Sequence, residues 1–173
     1  MMPLTLSRQS RSRMNNTNSQ SDNSAYDAQS TFPVVAKWLG YGGLIPFVAL
    51  ALSVAAGVDP GLPGAAGATD SLLNYGAVII SFIGAVHWGL ALQAGRDQTL
   101  MYVYSVVPAL VAWGWLFVAE KTALFGMALT IAVMFFVDRV LLAGRVPAGY
   151  LKLRLHLTVI VALSLVLASI GVA

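Results

Sequence analysis

Five apolar runs constrain this chain more than any other feature. Each is close to the roughly 20 residues that an α-helix needs to cross about 30 Å of hydrocarbon. They extend approximately over Trp38–Gly57, Leu72–Ala94, Met101–Ala119, Thr122–Leu142 and Leu153–Val172. A backbone in lipid must pair its own amides. Long continuous runs therefore predict helices, whereas a β-barrel would show short segments of alternating character. The expected fold is all-α: an integral membrane bundle of five transmembrane helices over residues 32–173, preceded by a polar tail over residues 1–31. Composition agrees, since 58% of the 173 residues are hydrophobic and 10% charged, with a mean hydropathy of +0.77. Soluble domains lie outside that range.

The tail, "MMPLTLSRQSRSRMNNTNSQSDNSAYDAQST", is rich in Ser, Asn, Gln and Arg and has no apolar segment able to seed a core or serve as a signal-peptide core. It reads as disordered. Arg8, Arg11 and Arg13 precede its first acidic residue, Asp22, so a mitochondrial transit peptide is the compositional alternative to a bacterial cytoplasmic tail. "GVDPGLPGAAGATD", "GRDQT", "EKT" and "GRVPAGY" supply the turn chemistry between spans.

Lys and Arg set the expected threading. With the amino terminus inside, Arg8, Arg11, Arg13, Lys37, Arg96, Arg139, Arg145, Lys152 and Arg154 lie at or within the inner boundary, and Lys121 alone lies outside beside Glu120. Nine of ten basic residues then share one side, which predicts amino terminus in and carboxyl terminus out. The basic residues flank apolar runs and form no polar face. The net charge of +3 therefore reads as topogenic, and no nucleic-acid partner is expected.

Threading also sets depth. His87 lies about 10 Å from the cytoplasmic end of the second span, Pro108 about as far into the third, and Pro46 about 12 Å into the first. Each proline deprives the carbonyl four residues back, Gly42 or Tyr104, of its usual donor. A neutral imidazole in hydrocarbon needs a partner, and these carbonyls are the expected ones. Asp138 closes the fourth span in "MFFVDRVLL" and Arg154 opens the fifth in "LKLRLHLT". A carboxylate at membrane depth calls for a cation, and Arg154 is expected to supply it while Arg139 reaches the headgroups. The candidate polar layer comprises His87, Trp88, Ser81, Asp138, Arg154, Pro46 and Pro108.

Ala77, Ser81, Ala85 and Gly89 recur at four-residue spacing and predict a close helix contact, making the second span central to the bundle. Trp38, Tyr41, Tyr102, Tyr104 and Tyr150 are expected to anchor the inner interface and Tyr75 the outer one. Trp113 and Trp115 read as packing residues, and the fifth span as facing lipid over much of its circumference. There is no cysteine, hence no disulfide framework and no thiolate metal site. No Walker A loop, dinucleotide fingerprint, His-Glu-x-x-His or nucleophile elbow occurs. Neither a metal nor a cofactor is expected. Haem on His87 and His156 is disfavoured because their depths differ.

"LGYGGLIPF", "YGAVIISFIGAVHWGLAL", "YSVVPALVAW" and "PAGYLKLRLHLT", in that order with Asp138 between the last two, resemble the domain of unknown function 3429 family. The resemblance covers about Lys37 to Leu167, and its most specific part is the Ser81, Phe82, Gly84, His87, Trp88, Gly89 cluster. It implies a small integral protein of an energy-conserving inner membrane, from a family with bacterial and mitochondrial members and no assigned activity.

The expected role is therefore that of a multi-pass inner-membrane protein, a non-catalytic accessory or assembly partner of a membrane complex. The host is the bacterial cytoplasmic membrane, with the mitochondrial inner membrane as the alternative. Lipid and a membrane-protein partner or second copy are the expected contacts. The alternative function is a small proton- or ion-coupled transporter or channel with His87 in a cytoplasmic-side polar layer. A third reading, a membrane enzyme acting on lipid or quinone through His87 and Asp138, predicts a lateral lipid-sized opening near Asp138.

Overall fold

A computed structural model describes residues 33–61, 67–95, 98–142, 144 and 146–172. The polar tail over residues 1–31 and the basic residues Arg8, Arg11, Arg13, Arg96 and Arg145 lie outside them. The described residues form six helices and no strand: α1 Val34–Gly42, α2 Leu44–Ala55, α3 Ala68–Ala94, α4 Thr99–Trp115, α5 Glu120–Leu141 and α6 Ala148–Gly171. Four segments are long and apolar enough to cross a membrane, with α1 and α2 together making a first span of 22 residues. The fifth, α4, is shorter at 17 residues. The chain is a multi-pass helical membrane protein.

The boundaries depart from the hydropathy reading at identifiable places. Pro33 and Pro147 stand immediately before α1 and α6, so both helices start earlier than the apolar runs do. Proline is favoured at helix starts because the missing amide has no intrahelical partner there. The third span, expected to reach Ala119, stops at Trp115. Leu116, Phe117 and Val118 close it with bonds to carbonyls three residues back, and these apolar residues make the turn that lets Glu120 start α5. Hydropathy registers their solubility in lipid and misses the turn. At Gly43 the first span is interrupted for one residue that keeps helical angles. Pro46 falls in the first turn of α2, where its absent amide costs little.

The helices close a ring. α3 packs on α4, α4 on α5, α5 on α6, α6 on α2 and α2 on α3, with a lesser contact between α3 and α5 across the middle. The first and last spans run parallel. Gly171 meets Ala55 so closely that a Cβ added there would stand 2.7 Å from the Ala55 Cα. Phe47, Leu72, Ile80, Leu124, Met127, Ile131 and Leu165 fill the interior.

Three expectations about packing are corrected. Leu153, Arg154, Thr158, Val161, Leu165 and Ala168 of α6 are buried, so this helix faces protein on two sides and does not lie mainly against lipid. The second span is not the centre of the bundle; α5 and α6 are the more deeply buried helices. Its contact face is Gly76, Ile80, Gly84, His87 and Ala91, and a Cβ on Gly84 would meet the Ser105 carbonyl oxygen at 2.7 Å. Ala85 and Gly89 of the small-residue stripe are exposed. Tyr75 is no outer anchor: its hydroxyl donates to the Gly43 carbonyl at 3.0 Å and its ring packs on Phe47. It thereby satisfies the interrupted backbone of the first span one residue beyond the predicted carbonyl of Gly42.

Candidate functional site

The largest concentration of buried polar atoms lies toward the helix ends that carry Arg139 and Lys152. Asp138 is near the end of α5, Arg154 in the second turn of α6, His87 in the last two turns of α3 and Tyr104 in the second turn of α4. At 1.5 Å per residue all four fall within about 10 Å of those ends. Four helices thus contribute one side chain each to a single layer.

Asp138 is 0% exposed, His87 1% and Arg154 6%. Arg154 Nε donates to Asp138 Oδ2 at 2.8 Å, a charge-assisted bond that ties α5 to α6. His87 Nε2 stands 3.2 Å from the other oxygen, Oδ1, but off the line that a hydrogen bond requires. Arg154 Nη1 donates to Thr158 Oγ1 at 3.4 Å, one turn along α6. The Tyr104 ring meets the imidazole edge to face, with centroids 4.7 Å apart. Both ring nitrogens of His87, the Tyr104 hydroxyl, Asp138 Oδ1 and Arg154 Nη2 are buried without a hydrogen-bond partner. Such atoms are costly at membrane depth, which marks this layer as the region where water, a proton or a ligand oxygen is most strongly favoured.

Of the residues expected in a polar layer, the fold brings together His87, Asp138 and Arg154, with Pro108 alongside. Pro108 lies in ordinary contact distance of a Cβ placed on Gly84, one turn from His87. The imidazole does not find the freed carbonyls of Gly42 or Tyr104; it faces Asp138 because α3 and α5 approach across the ring. Trp88 turns outward and packs edge to face on Tyr102 at 5.2 Å. Ser81 donates to the Ala77 carbonyl of its own helix at 2.8 Å. Pro46 serves the break between α1 and α2. His156 is exposed while His87 is buried, so the two do not face one centre. Arg139 is exposed, as its position one residue beyond Asp138 on the helix predicts.

The side chains of Tyr104 and Thr158 complete the layer, and neither is expected there from the sequence. Residue type alone puts Tyr104 at the interface. Thr158 lies one turn beyond Arg154, a spacing that signals a shared helix face. Trp115 gives another unanticipated contact: its indole lies on Gly126, where a Cβ would approach the ring carbons to 2.5 Å, and its Nε1 donates to Thr130 Oγ1 at 3.1 Å.

Beside the layer is a cavity of about 500 Å³ among α1, α2, α3, α5 and α6. Tyr150, Arg154 and Thr158 are its polar lining residues; the others are aliphatic, aromatic or glycine. Leu39 and Phe82, both largely exposed, belong to the lining, so the cavity opens on the lipid-facing surface. Asp138 and His87 stand behind Arg154 and do not line it.

Comparison with known proteins places these residues in a wider group. The family model described as "Protein of unknown function (DUF3429)" matches residues 32–170, which include every residue of the layer and the cavity. Transmembrane protein 69 of Xenopus tropicalis is 37% identical over 143 residues, covering 78% of this chain and 53% of that protein. The chain therefore spans about half the length of this curated relative. No solved structure matches. From the residue before α1 almost to the end of α6, the match follows the helical membrane domain, and the chain belongs to the DUF3429 family.

Proposed function

We propose that the protein is a non-catalytic accessory component of its membrane, acting through contacts made inside the bilayer. The observation that carries this reading is the second small-residue face of α3. The bundle itself uses the Gly76, Ile80, Gly84 and His87 face. Ala85 and Gly89, one turn apart, remain on the outside, and nothing lies within 4 Å of a Cβ placed on Gly89. In lipid, where apolar side chains gain little by meeting each other, small residues in register promote association because they let backbones approach. The second contact face then belongs to a membrane-protein partner or another copy of this chain. The lateral opening that a membrane enzyme calls for is present beside Arg154, but a non-reactive role is favoured because Asp138 is engaged by Arg154 and does not line the cavity. An acid so placed is a poor base for anything bound there. The distribution of Lys and Arg supports an amino terminus on the inner side, in a bacterial cytoplasmic membrane or, as the Arg-rich, Ser-rich tail would suit, in the mitochondrial inner membrane.

The test is native purification in mild detergent, with mass and composition of the particle read for wild type and Gly89→Leu. The wild type is expected to carry a stoichiometric membrane protein or second copy, and Gly89→Leu to lose it while remaining folded. A lone wild-type chain, or a partner retained by Gly89→Leu, overturns the reading.

The second reading is a proton- or ion-coupled transporter, favoured by the unpaired His87 Nδ1 and Tyr104 hydroxyl. Proteoliposomes would then show a proton or ion flux that His87→Phe abolishes. Equal leak with and without the protein disposes of it.

A further inference from the structure

The cavity between α1, α2, α3, α5 and α6 has a chemistry that the accessory role neither requires nor explains. Its volume, about 500 Å³, lies within the range of small-molecule sites. Its apolar lobe is walled by residues including Phe47, Ile79, Ile83, Ile131, Leu157 and Val161, which suits an alkyl or isoprenoid tail. Its polar end is Arg154, 6% exposed, flanked by Thr158 and Tyr150. Access is lateral, past Leu39 and Phe82.

What Arg154 lacks decides the class of head group. Its charge is already balanced by Asp138 at 2.8 Å. Its Nη2, though without an acceptor, is shut off from the cavity; its Nη1, beside the lining Thr158, is held only by a 3.4 Å contact to that hydroxyl and keeps an N–H to give. The guanidinium therefore wants a lone pair and has no use for another negative charge. An anionic head would add a second negative charge beside Asp138 in a low-dielectric layer, where repulsion is strong and screening weak. A neutral carbonyl oxygen supplies the acceptor without that penalty. We propose that this cavity binds an amphipathic lipid with a neutral carbonyl head, the head accepting from Arg154 and the tail occupying the apolar lobe. Quinones and acylglycerol esters share this chemistry.

The test uses the full-length protein, delipidated in detergent and returned to nanodiscs. Photoreactive-tail analogues of a decyl-benzoquinone and of a dioctanoylglycerol are titrated, with a laurate analogue as the anionic control. Saturable labelling of peptides containing Ile79, Ile83 or Leu157 is expected for one neutral probe, and which probe labels identifies the source of the carbonyl. Ile83→Trp fills the lobe while keeping Asp138 and Arg154 in the sequence, and should weaken labelling roughly tenfold or more. Arg154→Lys, which keeps the charge but loses the planar fork, should weaken it too. Failure of both neutral probes to label wild type saturably, preferential labelling by laurate, or labelling of folded Ile83→Trp at wild-type affinity overturns the proposal. The peptide map of wild type stands even if a variant fails to fold, because labels confined to other helices also refute it.

Discussion

Removing one member of the Asp138–Arg154 pair tests most directly how the bundle is held. Asp138 is fully buried and Arg154 nearly so, and their 2.8 Å bond joins α5 to α6. Orphaning either partner of such a pair typically costs about 3–5 kcal/mol, because an uncompensated charge stays buried. Asp138→Leu and Arg154→Met should therefore each be strongly destabilising. The double substitution removes both charges and should recover most of the loss. Unfolding free energies from SDS titration in mixed micelles would supply the four corners of the cycle. Single losses below about 1 kcal/mol or an additive double mutant would show that the pair is not what joins these helices.

Other substitutions probe the remaining contacts. Gly84→Ala places a methyl group 2.7 Å from the Ser105 carbonyl and should cost about 1–3 kcal/mol as α3 and α4 are forced apart. Gly89→Ala meets nothing in its own chain and should stay within about 0.5 kcal/mol of wild type in the same micelle assay; a large loss would contradict the assigned helix faces. Tyr75→Phe removes the donor to the Gly43 carbonyl and should lower stability by about 0.5–1.5 kcal/mol, with faster amide exchange near Gly43 by mass spectrometry. A reporter fused after Ala173 is expected on the outer side of the membrane; an active cytoplasmic reporter would reverse the threading inferred from the basic residues.

Much of the polar layer was legible because a charged group in a long apolar run stands out against its surroundings. Asp138 and Arg154 each had to have a partner at matching depth, and each was the other's best one. His87 likewise needed a partner, but which one was settled by the approach of α3 to α5 across the ring, a relation between spans that are not consecutive. The proline-freed carbonyls were a reasonable local choice and lost to a carboxylate from another helix. Tyr75, assigned by residue type to an interface, instead caps a backbone carbonyl inside the bundle.

By itself the sequence determined that this chain is helical, that it crosses lipid, and where its spans approximately lie, because length and hydropathy are matched to the thickness of hydrocarbon. Tertiary structure alone decided which apolar faces meet protein. That α6 is enclosed, that Gly84 and not Gly89 receives a neighbouring helix, that Gly126 underlies Trp115, and that a cavity opens beside Arg154 all depend on how the helices are arranged. Lipid tails and a bundle interior are almost equally apolar, so hydrophobicity marks the membrane but barely distinguishes its inside from its neighbours. Only shape, in the form of small residues, rings and close carbonyls, makes that distinction, and shape is assembled in three dimensions.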